Sequence, residues 1–405
     1  MPDSISVVIL SSVEWNFTWQ RHHIFATALA ARGFQVVYVD PLPKRLPSIR
    51  EVRRVLGRLT GIPQVAGYPR HSVHKSISVI SPIALPDVND AFGLVNRAFF
   101  LPRLYKRLRS LIKRSRLVIL TYLPFPGPLS LACRLAPDLL IYDCVTRWAE
   151  DERAPRSRLR ETELFQRADL VMADSPFLYE QATRHNPRTH RLPPGVDFDL
   201  FQRAANTSPA RSRQPIRCCY FGGVGGQHID VELLAAISHR YQLRIVGPVR
   251  TNIPRLAPTA ELVGVVPHPE LPKHLTDADV IVLPYRVNEF TRAVYPAKAF
   301  ECFATGKPIV ATRLPSLMPH ADLLYISDSH HEFLSNVERA MLEPPQLREQ
   351  RIELARCNTW DKRVDQLAGL ILEALAQNEP RCVSTSSRAD GKGVPRGNRE
   401  INSEP

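Results

Sequence analysis

Residues 277–312 read DADVIVLPYRVNEFTRAVYPAKAFECFATGKPIVAT. The apolar run Val280-Ile281-Val282-Leu283 stops at Pro284, a polar loop follows to Tyr295, and a second apolar run, Ile309-Val310-Ala311, closes the stretch. Between the loop and the second run, Pro296 is expected to open a helix and Gly306 to end it, because proline suits the first helical turn and glycine the position just past the last. Strand, loop, helix and strand make a βαβ unit. Arg292 precedes the expected helix, and Lys298 and Glu301 stand in its first two turns. Free backbone N–H groups at a helix start, flanked by cations, suit an anion. An ordinary α/β edge carrying solvated charges fits the same residues.

Outward from this unit, the 405-residue chain has room for two domains. Its 44% hydrophobic and 23% charged content suit a soluble globular protein. No apolar run approaches the ~20 residues of a membrane span. The start, MPDSISVVILSS, runs into a strand-like segment behind an acidic residue and does not read as a signal peptide. Seven cysteines without C-x-x-C spacing, with Cys133, Cys144 and Cys302 in apolar segments, predict buried free thiols in a reduced, cytoplasmic protein.

The net charge of +13 asks for an anionic partner. Lys and Arg concentrate at 44–58 and 97–116, both in the first third of the chain. They lack the interleaved aromatics or helix-turn-helix pattern of a nucleic-acid binder, so no nucleic-acid partner is expected. Residues 88–116 predict an amphipathic helix with Phe99, Phe100, Leu101, Leu104, Leu108, Leu111 and Ile112 on its apolar side. Such a helix lies on an anionic membrane surface or packs on its own sheet.

Taken in order, residues 5–10 and 36–39 read as buried strands around a helical stretch that stops at Gly33, which is a parallel-sheet signature. The first loop, SSVEWNFTWQRHH, lacks G-x-G-x-x-G, which argues against a nicotinamide oxidoreductase. Strands at 117–121, 139–142 and 170–173 follow. Asp143, Arg147 and Trp148 come just after one of them and are expected to face a cleft, with N-capping the alternative for Asp143. Residues 196–215 read as a linker, after which strands at 216–221, 243–246 and 261–265 lead into the opening unit. The turn Gly222-Gly223-Val224-Gly225-Gly226 lets phosphates approach backbone closely. A strand at 323–326 and helices at 330–342 and 360–376 complete the pattern, and 378–405 has the composition of a disordered tail.

Three pieces carry a family likeness: WNFTWQRHHIFATALAARGFQVVYVDP, then YDCVTRW with ADLVMADSPFLYEQA and LPPGVDFDLF, then NEFTRAVYPAKAFECFATGKPIVAT. Together they resemble the retaining nucleotide-sugar glycosyltransferases of family 4, in a bacterial branch acting in teichuronic acid and exopolysaccharide assembly. The resemblance implies an α/β GT-B fold: a first Rossmann-like domain (1–195) on the acceptor side, a second (216–358) for the donor, and a helix at 359–377 returning to the first. It implies a nucleotide-sugar donor, a lipid-linked or glycan acceptor, no cofactor and no metal. Glu301 matches the second acid of the family's E-x7-E motif, which holds ribose in relatives; the first falls on Ala293. Arg292, Lys298 and Asp143 are the expected catalytic residues, and Gly222, Gly223, Glu289, Pro296, Ala297 and Glu301 the donor-binding ones. Trp15, Trp19, Arg21 and His22 are expected on the acceptor side, with core packing an equal reading for the tryptophans. An epimerase or hydrolase of the same fold, or an inactive partner protein, is the alternative.

Overall fold

The computed structural model describes residues 5–17, 19–43, 72–86, 89–113, 116–148, 157–206 and 215–377. The basic run at 44–58, the later part of the expected linker and the 378–405 tail lie outside the described residues.

Seven parallel strands form the first sheet: β1 (Ile5–Leu10), β2 (Gln35–Val39), β3 (Ile77–Ile80), β4 (Arg116–Thr121), β5 (Leu139–Cys144), β6 (Leu170–Ala173) and β7 (Thr189–Arg191), in the order β3-β2-β1-β4-β5-β6-β7. All six residues of β1 are buried, as a strand covered on both faces requires. The second sheet holds β8 (Arg217–Phe221), β9 (Gln242–Val246), β10 (Glu261–Gly264), β11 (Val280–Leu283), β12 (Ile309–Thr312) and β13 (Tyr325–Ser327), in the order β10-β9-β8-β11-β12-β13. Both sheets therefore reverse their winding once, between β1 and β4 and between β8 and β11. Ligands of open α/β sheets bind outside the carboxyl ends of strands at such a reversal.

Two short strands escape sequence reading. The polar Thr189-His190-Arg191 shows no apolar run, yet it pairs with β6 as β7. β3 carries Ile77 and Ile80 inward at the edge of the first sheet, beside β2. The last strand begins at Tyr325 rather than 323, because Met318–Leu323 is taken up by a 3-10 segment. Residues 198–206, read as linker, are helical, and Leu200, Phe201 and Ala204 pack into the core of the second sheet.

The basic amphipathic stretch forms consecutive helical pieces, Asp90–Val95, a π segment Asn96–Phe100, and Leu101–Leu111. Leu101, Leu104 and Leu108 are buried, the latter two in the core of the first sheet, so this face packs on its own domain. Phe99, assigned inward by periodicity, is 56% exposed, because the π turn shifts the register of the faces. Arg116 leaves the cationic series: it starts β4, pairs with Asp138 at 3.6 Å and donates to the Leu375 carbonyl at 2.8 Å.

The chain passes between the domains twice, and the two passages are bonded to each other. Val196 N–H donates to the Asn358 carbonyl at 3.1 Å, and Trp360 N–H to the Val196 carbonyl at 3.1 Å. Gly195 permits this approach, since a Cβ there would stand 2.7 Å from the Trp360 nitrogen. Beyond the second passage the Trp360–Gln377 helix buries Val364, Leu367 and Ile371 in the core of the first sheet, and Asp365 pairs with Arg32 at 2.6 Å. Among the described residues no helix is long and apolar enough to cross a membrane.

Candidate functional site

The loops after β8 and β11 flank the reversal of the second sheet, and their functional side chains converge. Gly222 follows β8 with φ +118°, a left-handed conformation natural to glycine. The Lys298 ammonium sits over this residue, where a Cβ would overlap it. Lys298 Nζ donates to the Tyr220 hydroxyl at 3.1 Å and stands 4.3 Å from the centre of that ring. The helix predicted to open at Pro296 begins instead at Ala299 and ends at Ala304, because Pro296 accepts the Ala299 N–H in a turn and Lys298 occupies the N-cap. Pro296 and Ala297 thus precede the helix. What the loop brings to the reversal is a lysine on a glycine turn rather than a proline-led helix end.

Glu301, in the first turn of that helix, meets His268 from the loop after β10, with Oε1 3.3 Å from Nε2. Burial alone would lower the His268 pKa, but the hydrogen bond and charge of Glu301 outweigh it and raise it. Phe201 packs edge-on against the imidazole at 5.4 Å. A carboxylate held this way, one turn from Lys298, can accept hydrogen bonds from vicinal hydroxyls.

Arg292 lies in the short 3-10 segment Thr291–Ala293, half exposed, 3.6 Å from Glu289 and 5.7 Å from the Phe177 ring centre of the first domain. Glu289 is an exposed side chain that accepts from Arg147, also of the first domain, at 2.9 Å. That hydrogen bond holds its carboxyl below the ordinary value. Gly223, next to Gly222, presents its carbonyl to the Tyr220 hydroxyl at 2.9 Å.

The second-domain residues 224–342 match the family model of glycosyl transferases group 1. These residues thus resemble a group 1 glycosyl transferase domain, and the chain has a GT-B fold. Over 404 residues the chain is 26% identical to the teichuronic acid biosynthesis glycosyltransferase named TuaH of Bacillus subtilis (strain 168), covering 89% of this chain and 95% of that one. Among solved structures it resembles sucrose-phosphate synthase from Thermosynechococcus elongatus, with TM-score 0.62 and 18% identity over 92% of this chain and 99% of that one. WaaG, a glycosyltransferase of lipopolysaccharide biosynthesis, superposes with TM-score 0.61 at 14% identity over 90% and 99%. Anabaena HepE in complex with UDP does so with TM-score 0.60 at 14% identity over 91% and 99%.

The residues expected on the acceptor side and in the cleft of the first domain are largely interior. Asp143, the penultimate residue of β5, is fully buried, with both carboxylate oxygens taken by Arg21 at 2.7 and 2.8 Å. It neither faces open solvent nor caps a helix, which corrects both sequence readings. The third guanidinium contact goes to the Leu192 carbonyl at 2.8 Å, so Arg21 ties the ends of β5 and β7 together rather than awaiting a ligand. Trp15 is a core residue against Tyr38 and His23, and Trp19 stacks on His23 at 5.0 Å while remaining half-buried. His22 is buried, bonded to Ser12 at 2.9 Å and packed against the Tyr122 ring. Trp148 packs with Leu123 and Phe125 in a small cluster of its own. Of the thiols assigned to the interior, Cys144 and Cys302 are buried and Cys133 is exposed.

Sequence reading missed Tyr220, His268 and Asp174. Tyr220 stands two residues before Gly222, a position that the glycine turn itself could have flagged. Asp174 follows β6 at the carboxyl edge, buried, with Oδ1 lacking a hydrogen-bond partner. Burial, with Asp143 adding to it and Arg21 opposing, pushes its carboxyl up to about 8.

Proposed function

We propose that the chain transfers a sugar, with retention, from a nucleotide-diphosphate donor to a lipid-linked or polysaccharide acceptor in cell-surface glycan assembly. The observation that carries this reading is the convergence of Lys298, the Gly222 turn and Glu301 at the reversal of the second sheet. A nucleoside diphosphate departs when its developing charge is offset, and Lys298 with Arg292 supplies cations for that within one loop. The backbone at Gly222, free of a side chain, leaves room for the Lys298 ammonium that would meet the phosphates. Glu301, oriented by His268, takes the ribose hydroxyls. Retention then needs no carboxylate nucleophile, the leaving phosphate accepting the proton of the incoming hydroxyl.

Support comes from two directions: HepE carries UDP and UDP-glucose in its crystal structures, and TuaH is named for teichuronic acid biosynthesis. For a lipid-linked acceptor the first domain offers an exposed apolar trio, Leu94, Val95 and Phe99, beside the exposed Arg97, Arg103, Lys106, Arg107 and Arg109. Apolar side chains ringed by cations suit peripheral attachment to an anionic membrane face.

A panel of UDP-, GDP- and ADP-sugars, titrated by calorimetry, tests the reading. One member binds, and Glu301→Ala weakens it about tenfold or more while leaving the melting temperature in place. Absence of binding by every member at millimolar concentration would sink it.

A further inference from the structure

The 286–293 loop belongs to both domains. Arg147 reaches from the end of the first sheet and donates through Nη1 to the Glu289 main-chain carbonyl at 2.8 Å as well as to its carboxylate at 2.9 Å. It therefore holds the loop's backbone and not only a side chain. The other Glu289 oxygen lies 3.6 Å from Arg292, so one carboxylate stands between guanidinium groups of different domains. Both guanidiniums lie against Phe177, at 4.8 Å for Arg147 and 5.7 Å for Arg292. Ala293 is 2% exposed and packs into the apolar cluster of the first domain, where an acidic side chain would be buried.

We propose that Arg147 is a positioning residue of the donor site: it bridges the cleft, takes up the Glu289 carboxylate, and so leaves the Arg292 guanidinium for an anionic ligand. The donor part of this inference rests on the nucleotide-sugar reading above; the bridge itself does not. Without Arg147, Glu289 is free to swing fully onto Arg292 and cancel the cation the diphosphate needs. The contact is half exposed, so added salt weakens it.

The test uses the full chain with Arg147→Glu, Arg147→Lys and the charge swap Arg147→Glu/Glu289→Arg. Arg147→Glu is expected to enlarge the radius of gyration in small-angle scattering and to raise the donor KM about fivefold or more with kcat held within about twofold. Arg147→Lys, which keeps the charge, falls between this and wild type, and the swap restores the wild-type radius. An unchanged radius and KM in Arg147→Glu overturns the proposal, as does a swap that stays as open as that single variant. If wild type binds no nucleotide sugar, the donor reading fails while the scattering still judges the bridge.

Discussion

Replacing Asp174 by asparagine removes a carboxyl that the fold holds in its protonated form. The side chain is buried at the carboxyl end of β6, its charge partner Arg21 is already engaged by Asp143, and its pKa rises to about 8 from 3.8. Roughly four tenfold steps separate the two values, each worth about 1.4 kcal/mol, which sets an upper bound of about 6 kcal/mol. The sign follows from which state ionises first. Below the ordinary carboxyl value both folded and unfolded chains are protonated and nothing is lost. As pH rises the unfolded chain ionises while the folded one does not, so stability falls until pH passes about 8, where the loss is complete. Asp174→Asn escapes this loss. Its stability relative to wild type should therefore grow with pH, by about 3 kcal/mol between roughly pH 6 and pH 9. Urea unfolding of both proteins at the two pH values measures it. Glu161, pushed by burial up to about 7, titrates in the same window but is common to both proteins and drops out of the difference. A difference that stays constant, or shrinks as pH rises, would refute the account of Asp174 as an acid whose burial outweighs its stabilising partners.

Other outcomes follow from close contacts and buried area. In Gly195→Ala the added carbon meets backbone of Thr359 and Trp360 at 2.7–2.9 Å, and separating the strands breaks two hydrogen bonds. A loss of about 2–4 kcal/mol in urea unfolding is expected, and wild-type stability would mean the passages are not held together. Gly222→Ala strains a φ of +118° and displaces the Lys298 ammonium. Donor affinity should fall about tenfold by calorimetry, with about 1–3 kcal/mol of backbone strain, and undiminished affinity would detach this turn from the site. Leu108, fully buried on the inner face of the basic helix, should cost about 2–5 kcal/mol as alanine in urea melts followed by circular dichroism. A loss well under 1 kcal/mol would mean that the helix does not pack on its sheet.

How much was legible in the sequence follows from what is local. Apolar runs such as Ile5–Leu10 and Val280–Leu283 read directly as strands, since burial on both faces leaves no other composition open to them. The glycine turn after β8 and the placing of Arg292, Lys298 and Glu301 in one βαβ unit were equally plain. Partnerships were not. Arg21 meets Asp143 across 122 positions, Arg147 meets Glu289 across 142, and Glu301 meets His268 across 33. No periodicity encodes such meetings, so the buried Asp143–Arg21 pair reads from sequence as a cleft-facing acid, and the partner of Arg147 stays hidden. Register within helices was hidden for a related reason. A single π turn moved Phe99 from the inner face to the outer one, and residue spacing alone assumes an unbroken α-helix.

The paired passages at Val196 and Thr359 give the two domains a common axle. Because its bonds run from main chain to main chain, they survive replacement of the side chains along it, with Gly195 the exception. Sliding one domain past the other would shear those bonds, whereas swinging about them keeps both intact. A swing about this axle would have to part Arg147 from Glu289, the side-chain contact by which the two domains also meet.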